Sequence, residues 1–225
     1  MKIGLIGYGK MGKAVEKAAL ERGHEICGRL TSKNQEISQL AGADVCIDFT
    51  DPDAVWETVN KLAPLRKNIV IGTTGWEKYH AKASLLARES SFGLLYAPNF
   101  SIGMYIFEKL AKKSGELMKP FDFDVAGVEM HHSEKKDAPS GSGLRLSDLL
   151  SGLTQKEVPF TSVRCGKLTG IHQVIFNSGD DTIELTHRAS SRAGFASGAV
   201  AAAQWLEGKV GSFTFDDFMK GKICS

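Results

Sequence analysis

The chain is poor in several features that mark common classes of protein. It has four cysteines, Cys27, Cys46, Cys165 and Cys224, and none falls in a C-x-x-C or Cys/His pattern. The usual thiolate metal sites are therefore missing, and no metal is expected. Cys27 and Cys46 stand in apolar, strand-like runs, where a thiol serves as a small core residue, so buried free thiols are the expectation. Charge of one sign is also scarce. The 28 basic and 26 acidic residues leave a net charge of +2, which argues against a nucleic-acid surface and leaves room only for a local basic pocket. No apolar run approaches the ~20 residues of a membrane helix. The N-terminus opens directly on a strand without a signal-peptide pattern, which predicts a soluble, cytoplasmic protein with no membrane partner. Internal repeats and low-complexity linkers are missing as well.

What is present is enough apolar sequence, 42% of 225 residues, for one or two cores. Residues 2–6 read as a short apolar strand that runs into Gly7-Tyr8-Gly9-Lys10-Met11-Gly12, a G-x-G-x-x-G turn opening a helix over 11–21. In that setting each glycine has a task. Gly7 turns the chain sharply, Gly9 lets a pyrophosphate approach bare backbone, and Gly12 lets the helix pack closely on the strand. The free N–H groups of the helix start face the phosphates.

A second strand ends near Leu30. The Asp or Glu that holds ribose hydroxyls in NAD-binding domains is missing there, and Arg29, Thr31, Ser32 and Lys33 stand instead. This set would attract a 2′-phosphate and favours NADPH over NADH; an ordinary solvated loop is the other reading. Residues 44–50 and 68–71 read as further strands. Between them Asp51 is placed as the N-cap and Pro52 as the first residue of a helix. Gly72-Thr73-Thr74-Gly75 should lie at the carboxyl end of the sheet, where open α/β sheets bind ligands. A fifth strand, 92–97, leads to Pro98 and Asn99, whose side chain can bond a nicotinamide carboxamide. Ser101 is placed as a cap of the next helix, 102–116. This rhythm predicts an α/β, doubly wound parallel sheet of Rossmann type.

From Phe121 the rhythm changes. Residues 121–130 alternate as a half-buried strand, 142–150 have helical spacing, and three more strands follow near 161–166, 171–178 and 181–188. The turn Asn177-Ser178-Gly179-Asp180 makes the last two a hairpin. An alanine-rich helix covers 197–206, and 211–219 reads as a short tail carrying Phe213, Phe215 and Phe218 that packs back onto the first domain. The expectation is a dinucleotide-binding domain over 1–99, joined by the return 193–225. A smaller α+β substrate and oligomerisation domain with a mixed, largely antiparallel sheet is expected over 100–192. An open sheet of this kind is often buried by symmetry-related copies.

The densest chemistry lies in Glu129-Met-His-His-Ser-Glu-Lys-Lys-Asp-Ala-Pro-Ser-Gly-Ser-Gly143. His131 and His132 are adjacent, so on a strand they point to opposite faces and do different work. One donates a proton; the other binds a substrate carboxylate or is structural. Lys135 can hold a carboxylate or polarise an imine, while Lys136 is solvent-facing. The N–H groups near Ser140, Gly141 and Ser142 form an anion nest at a helix start. A metal on Glu129, His131 and His132 is disfavoured, because adjacent histidines rarely reach one ion. These groups suit a small dianionic substrate that receives a hydride and then a proton. The stretch His187 to Arg192 is also cationic. An arginine there, Arg192 being the candidate, would clamp a carboxylate with two bonds or else form a surface ion pair.

With these residues in hand, the chain resembles the dihydrodipicolinate reductase family. The central stretch is similar to the family signature E-x-H-H-x-x-K-x-D-A-P-S-G-T. The glycine turn, Gly72-Thr73-Thr74-Gly75, Ala97-Pro-Asn-Phe-Ser-Ile-Gly103 and His187-Arg-Ala-Ser-Ser-Arg192 follow in the family's order. The resemblance implies reduction by NADPH or NADH of a dihydropyridine dicarboxylate derived from 4-hydroxy-tetrahydrodipicolinate, in lysine biosynthesis, by a homotetramer. It implies His131 as proton donor and acceptor, Lys135 as a second donor, and His132, Gly141 and Ser142 as substrate ligands, to which the anion nest adds Ser140. It further implies that Gly7 to Gly12, Gly72 to Thr74, and Ala97, Pro98, Asn99 and Phe100 contact the cofactor. The chain departs from the family pattern in a short 30–44 segment, a turn without an extra glycine, no acid after the second strand, and Ser142 where Thr is common. Rival readings are an aspartate-dehydrogenase-like enzyme, which the central loop opposes, and a non-catalytic dinucleotide sensor, which needs no proton donor.

Overall fold

The computed structural model describes residues 1–34 and 36–223; Cys224 lies outside the described residues. Ten strands and seven α-helices, numbered in chain order, form two compact units among them. One unit comprises Met1–Ser101 and the chain from Phe195 onward; the other is Ile102–Gly194.

The first unit holds β1 (Lys2–Ile6), β2 (Glu25–Leu30), β3 (Val45–Asp48), β4 (Asn68–Ile71), β5 (Gly93–Tyr96) and β10 (Gly211–Thr214). All pairings are parallel, in the order β10-β5-β4-β3-β1-β2. All four residues of β3 are buried, as expected of a strand covered on both faces. The order reverses at β1: β2 lies on one side and β3, β4 and β5 on the other. The crevice outside the carboxyl ends of β1 and β3 is therefore the place where such sheets take ligands. The helices α1 (Lys10–Glu21), α2 (Pro52–Leu62) and α3 (His80–Glu89) link successive strands. Asp51 is the N-cap of α2 with Pro52 in its first turn, but its side chain makes no capping bond.

Residues 211–219 return to the first unit as expected, but as a strand and a helix rather than a tail. Gly211–Thr214 adds β10 to the free edge of β5, and α7 (Phe215–Ile223) follows at once. Four residues give too short a pattern to read as a strand, and the pairing comes from β5, more than a hundred residues away. Phe215 and Phe218 are buried beside it.

The second unit holds α4 (Ile102–Met118), β6 (Asp124–His131), α5 (Gly141–Thr154), β7 (Phe160–Arg164), β8 (Ile171–Asn177) and β9 (Thr182–Arg188). The helix α6 (Ala193–Trp205) carries the chain back to the first unit. The sheet runs β7-β6-β8-β9, with β6 parallel to β7 and antiparallel to β8, and β8 antiparallel to β9. The strand β6 begins at Asp124 rather than Phe121. Pro120 lies in a turn closed by Phe121 N–H on the Met118 carbonyl, and Phe121 is exposed. Met104, Phe107 and Ala111 of α4, Leu146 and Leu150 of α5, and Val174 and Phe176 of β8 make the core with Val158.

Cys46 is buried, Cys27 is only half-buried, and Cys165, beyond β7, is exposed. All three are free. No helix among the described residues is long and apolar enough to cross a membrane.

Candidate active site

In the first unit, close packing shapes the turn after β1. Gly7 has φ +84°, and a Cβ there would lie 2.4 Å from the Phe49 carbonyl oxygen. A Cβ on Gly12 would lie 2.1 Å from the Gly7 carbonyl oxygen. Gly9, the N-cap of α1, has open space where its side chain would be. This is the cradle that a pyrophosphate requires: tight beneath and bare above.

Two cavities meet here, both touching Gly9, Phe49 and Thr50. One, of about 540 Å³, runs from Gly7 and Tyr8 to Thr31 and Ser32 on one side and to Asp51 and Lys61 on the other. The other, of about 380 Å³, is walled by Lys10, Met11, Gly72, Thr73 and Thr74. The structure thus gathers Gly7, Tyr8, Gly9, Lys10, Met11, Gly72, Thr73 and Thr74 around one continuous region. Behind them Asp48 is fully buried at the end of β3. Its carboxylate accepts the hydroxyls of Thr50 at 2.7 Å and Thr73 at 3.0 Å. Burial raises its pKa against those bonds. Asp48 was not among the residues singled out from the sequence, and it fixes the loops that line both cavities.

The remaining cofactor candidates stand apart from these walls. Ala97 to Phe100 follow β5. Ala97 N–H bonds the Ile71 carbonyl, Asn99 accepts from Ser101 N–H at 2.8 Å, and the Phe100 ring is buried between Phe49 and Phe215. Arg29 turns to Glu16 and lies over the Tyr8 ring, and the Tyr8 hydroxyl also donates to Glu16. Lys33 is exposed in the turn after Thr31.

In the second unit, strand register builds the site. Glu129 and His131 are two residues apart on β6 and so share a face. Glu129 lies opposite Ser162 of β7 and His172 of β8, and His172 lies opposite His187 of β9. His131 lies opposite Arg164. This face turns inward, burying Glu129, His131 and His172.

The Glu129 carboxylate accepts from His131 Nδ1 through Oε2. Through Oε1 it accepts from Arg164 Nη2 at 2.7 Å and from Ser140 N–H at 3.3 Å. Burial works to raise its pKa, but the Arg164, Ser162 and His131 side chains outweigh it and bring the carboxyl down to about 2. His131 is pulled below its ordinary value by burial and by the Lys135 and Arg164 cations, against the opposing pull of Glu129. His172 is pushed down to about 4, mainly by burial.

Ser140 caps α5: its Oγ accepts the Gly143 N–H at 3.2 Å and meets His172 Nε2 at 3.1 Å. The N–H groups of Gly141 and Ser142 begin the helix above it. Lys135 pairs with Asp137 at 2.8 Å. Arg164 also donates to the Asp137 carbonyl at 2.5 Å, fastening the loop. Lys136 is exposed. His132 lies just beyond β6, half-buried, with its Nδ1 enclosed and unbonded. Arg192 is exposed between β9 and α6.

Ligand atoms of Glu129, His131 and His172 lie within 4.8 Å of one another. Glu129 is already matched there by Arg164. Arg164 and His172 escaped sequence reasoning because each stands among other polar residues of its strand, outside any motif; only the register brings them to His131.

A glycine turn at the switch point of a Rossmann-type sheet, and beside it in the chain a mixed-sheet unit bearing a buried Glu–His pair, have the plan of a two-domain nicotinamide-dependent oxidoreductase. Models of the dihydrodipicolinate reductase N-terminus and C-terminus match residues 1–100 and 103–219. The chain is 35% identical to the 4-hydroxy-tetrahydrodipicolinate reductase of Christiangramia forsetii, over 97% of this chain and 98% of that protein. It is 35% identical to that of Staphylococcus saprophyticus, over 96% and 100%. Among solved structures it is similar to the dipicolinate-bound dihydrodipicolinate reductase from Paenisporosarcina sp. TG-14, with TM-score 0.80, 23% identity, and 95% and 97% of the two chains covered. The chain belongs to the dihydrodipicolinate reductase family.

Proposed function

We propose that this chain reduces the dihydropyridine dicarboxylate formed from 4-hydroxy-tetrahydrodipicolinate, with loss of water, on the route to diaminopimelate and lysine. When bound, the nicotinamide supplies the hydride. The chain's own groups supply one proton, an anchorage for two carboxylates and the cofactor cradle. The observation that carries this reading is the buried Glu129–His131 pair, joined through the Ser140 N–H to the start of α5, with Lys135 on the loop between them.

In this assignment residues 1–99 with 193–225 bind the nucleotide, and 100–192 bind the substrate and build the assembly. Gly7 to Gly12 hold the pyrophosphate, Gly72 to Thr74 and Ala97 to Phe100 the nicotinamide side. His131 passes the proton and Lys135 is the second donor. One substrate carboxylate takes the N–H groups of Gly141 and Ser142, with Ser140 and His132 beside them; Arg192 clamps the other. The hydroxyls of Thr31 and Ser32, with Lys33 next to them and no acid at the end of β2, favour NADPH over NADH. Arg29 contributes less, since Glu16 already neutralises it. The free thiols suit a reducing compartment, the cytoplasm. The chain works as a homotetramer, joined through the face of the second sheet that carries Val128, Met130, Val163 and Ile175.

The test is oxidation of NADPH and of NADH, followed by absorbance, on addition of freshly made 4-hydroxy-tetrahydrodipicolinate. Substrate-dependent absorbance loss is expected with both, faster at low concentrations of NADPH. His131→Gln and Lys135→Ala should each lower turnover on the order of 10²-fold and leave cofactor affinity nearly unchanged. No absorbance loss at high enzyme concentration would exclude the reductase.

A further inference from the structure

Assigning His131 and Lys135 to proton transfer leaves a fully buried carboxylate without a task. Stability alone does not call for one at position 129. A buried charge is costly unless every lone pair is matched, and a well-packed apolar residue often does as well or better. On the same face of β6, Val125 and Gly127 need no anion, which leaves His131 as the one neighbour in the strand that does. Yet Glu129 bonds three groups of the candidate site: His131 Nδ1, Arg164 Nη2 and the Ser140 N–H at the start of α5.

We infer that Glu129 is the positioning residue for His131. It accepts the Nδ1 proton, so that Nε2 is the nitrogen presented for proton transfer, and it ties the ring to the first turn of α5. Arg164 is the fixed counter-ion that keeps Glu129 ionised. The Nε2 side of the ring supports the assignment independently. A Cβ on Gly170 would come within 3.0 Å of His131 Nε2, so the missing side chain at that position keeps the working nitrogen clear.

The other charged and titratable groups around the ring suit the same arrangement. Lys135 is paired with Asp137 on the loop, and His172, whose ring meets His131 edge-on at 5.2 Å, is held neutral by burial. Among the described residues, Glu129 is then the anion that meets the imidazole. It stabilises the imidazolium when Nε2 takes a proton and preserves the tautomer when the proton leaves, as a buried acid does for a catalytic histidine in general.

The kinetic part of the test rests on the reductase reading; the spectroscopic part does not. In ¹⁵N-labelled protein the neutral His131 imidazole should carry its proton on Nδ1, read from the ring nitrogen shifts and assigned by their loss in His131→Gln. A neutral ring protonated mainly on Nε2 would overturn the inference. In the kinetic part, Glu129→Gln should lower kcat on the order of 10²-fold or more, with KM for the dicarboxylate within a few-fold. In the His131→Gln background the same change should cost less than about three-fold, because a residue acting through His131 has nothing left to act on. An equal loss in both backgrounds would mark Glu129 as structural. Failure of Glu129→Gln to fold leaves the tautomer of the unmutated protein to decide. An inactive wild-type chain with the expected tautomer would count against the reductase reading and for the positioning role.

Discussion

His172 and Glu129 carry opposite signs of the same physics. His172 is neutral in the fold because burial brings its pKa from 6.5 to about 4. The unfolded chain therefore binds a proton that the folded chain refuses as pH falls through 6.5. Stability drops progressively until pH 4 and then levels, for a loss of about 3 kcal/mol. His131, also lowered, adds to the loss in the same direction. Glu129 is the reverse case. Its folded pKa of about 2 lies below the unfolded 4.5, so its contribution is full above 4.5 and vanishes as pH falls through 2. Urea titrations from pH 7 to 3 should show the midpoint falling already between pH 6.5 and 4.5. Replacing His172 with Gln should flatten that first limb. A stability that stays level down to pH 4.5 would contradict a neutral, buried His172.

At the scale of elements, the turn from β1 into α1 was fully legible. Spacing alone assigned Gly7, Gly9 and Gly12 three different tasks, and the turn has the matching local geometry: a positive φ at Gly7, open space at Gly9 and Gly12 seated on a carbonyl. A methyl group at Gly12 would overlap backbone, and backbone cannot rotate away. Gly12→Ala should push α1 off β1, cost about 1–3 kcal/mol and weaken both cofactors alike. Calorimetry and fluorescence titration would check this. An alanine variant with wild-type melting and affinity would show that α1 has room to move.

The strands of the second unit were legible as strands but not as neighbours. Periodicity says that Glu129 and His131 share a face. It cannot say that Arg164 and His172 lie opposite them, because register is a long-range property with no local signal. The same limit hid β10, four residues whose partner lies more than a hundred positions earlier. Arg29 shows a different limit. Its charge suggested a phosphate, but Glu16, nearly two turns into α1, claimed it first.

At the scale of the whole molecule, the face of the second sheet away from α5 carries half-buried Val128, Met130 and Ile175 and exposed Val163. Apolar side chains clustered on an open sheet are what a self-association surface presents. Light scattering coupled to gel filtration should give a mass near four times 24.4 kDa. Val163→Lys should lower that mass without unfolding the chain. A wild-type monomer at micromolar concentration would remove the tetramer.

The placement of β10 has a consequence for how the chain comes into being. The strand that completes the first sheet is synthesised only after all of residues 102–194. At about 5–20 residues per second, the nascent sheet waits on the order of ten seconds with the β5 edge unpaired. Leu94 and Leu95 lie on that edge. The inserted unit has its sequence in one piece and can finish first. The nucleotide-binding unit, although it leaves the ribosome first, is the last to close, and until then β5 is the segment most in need of a chaperone.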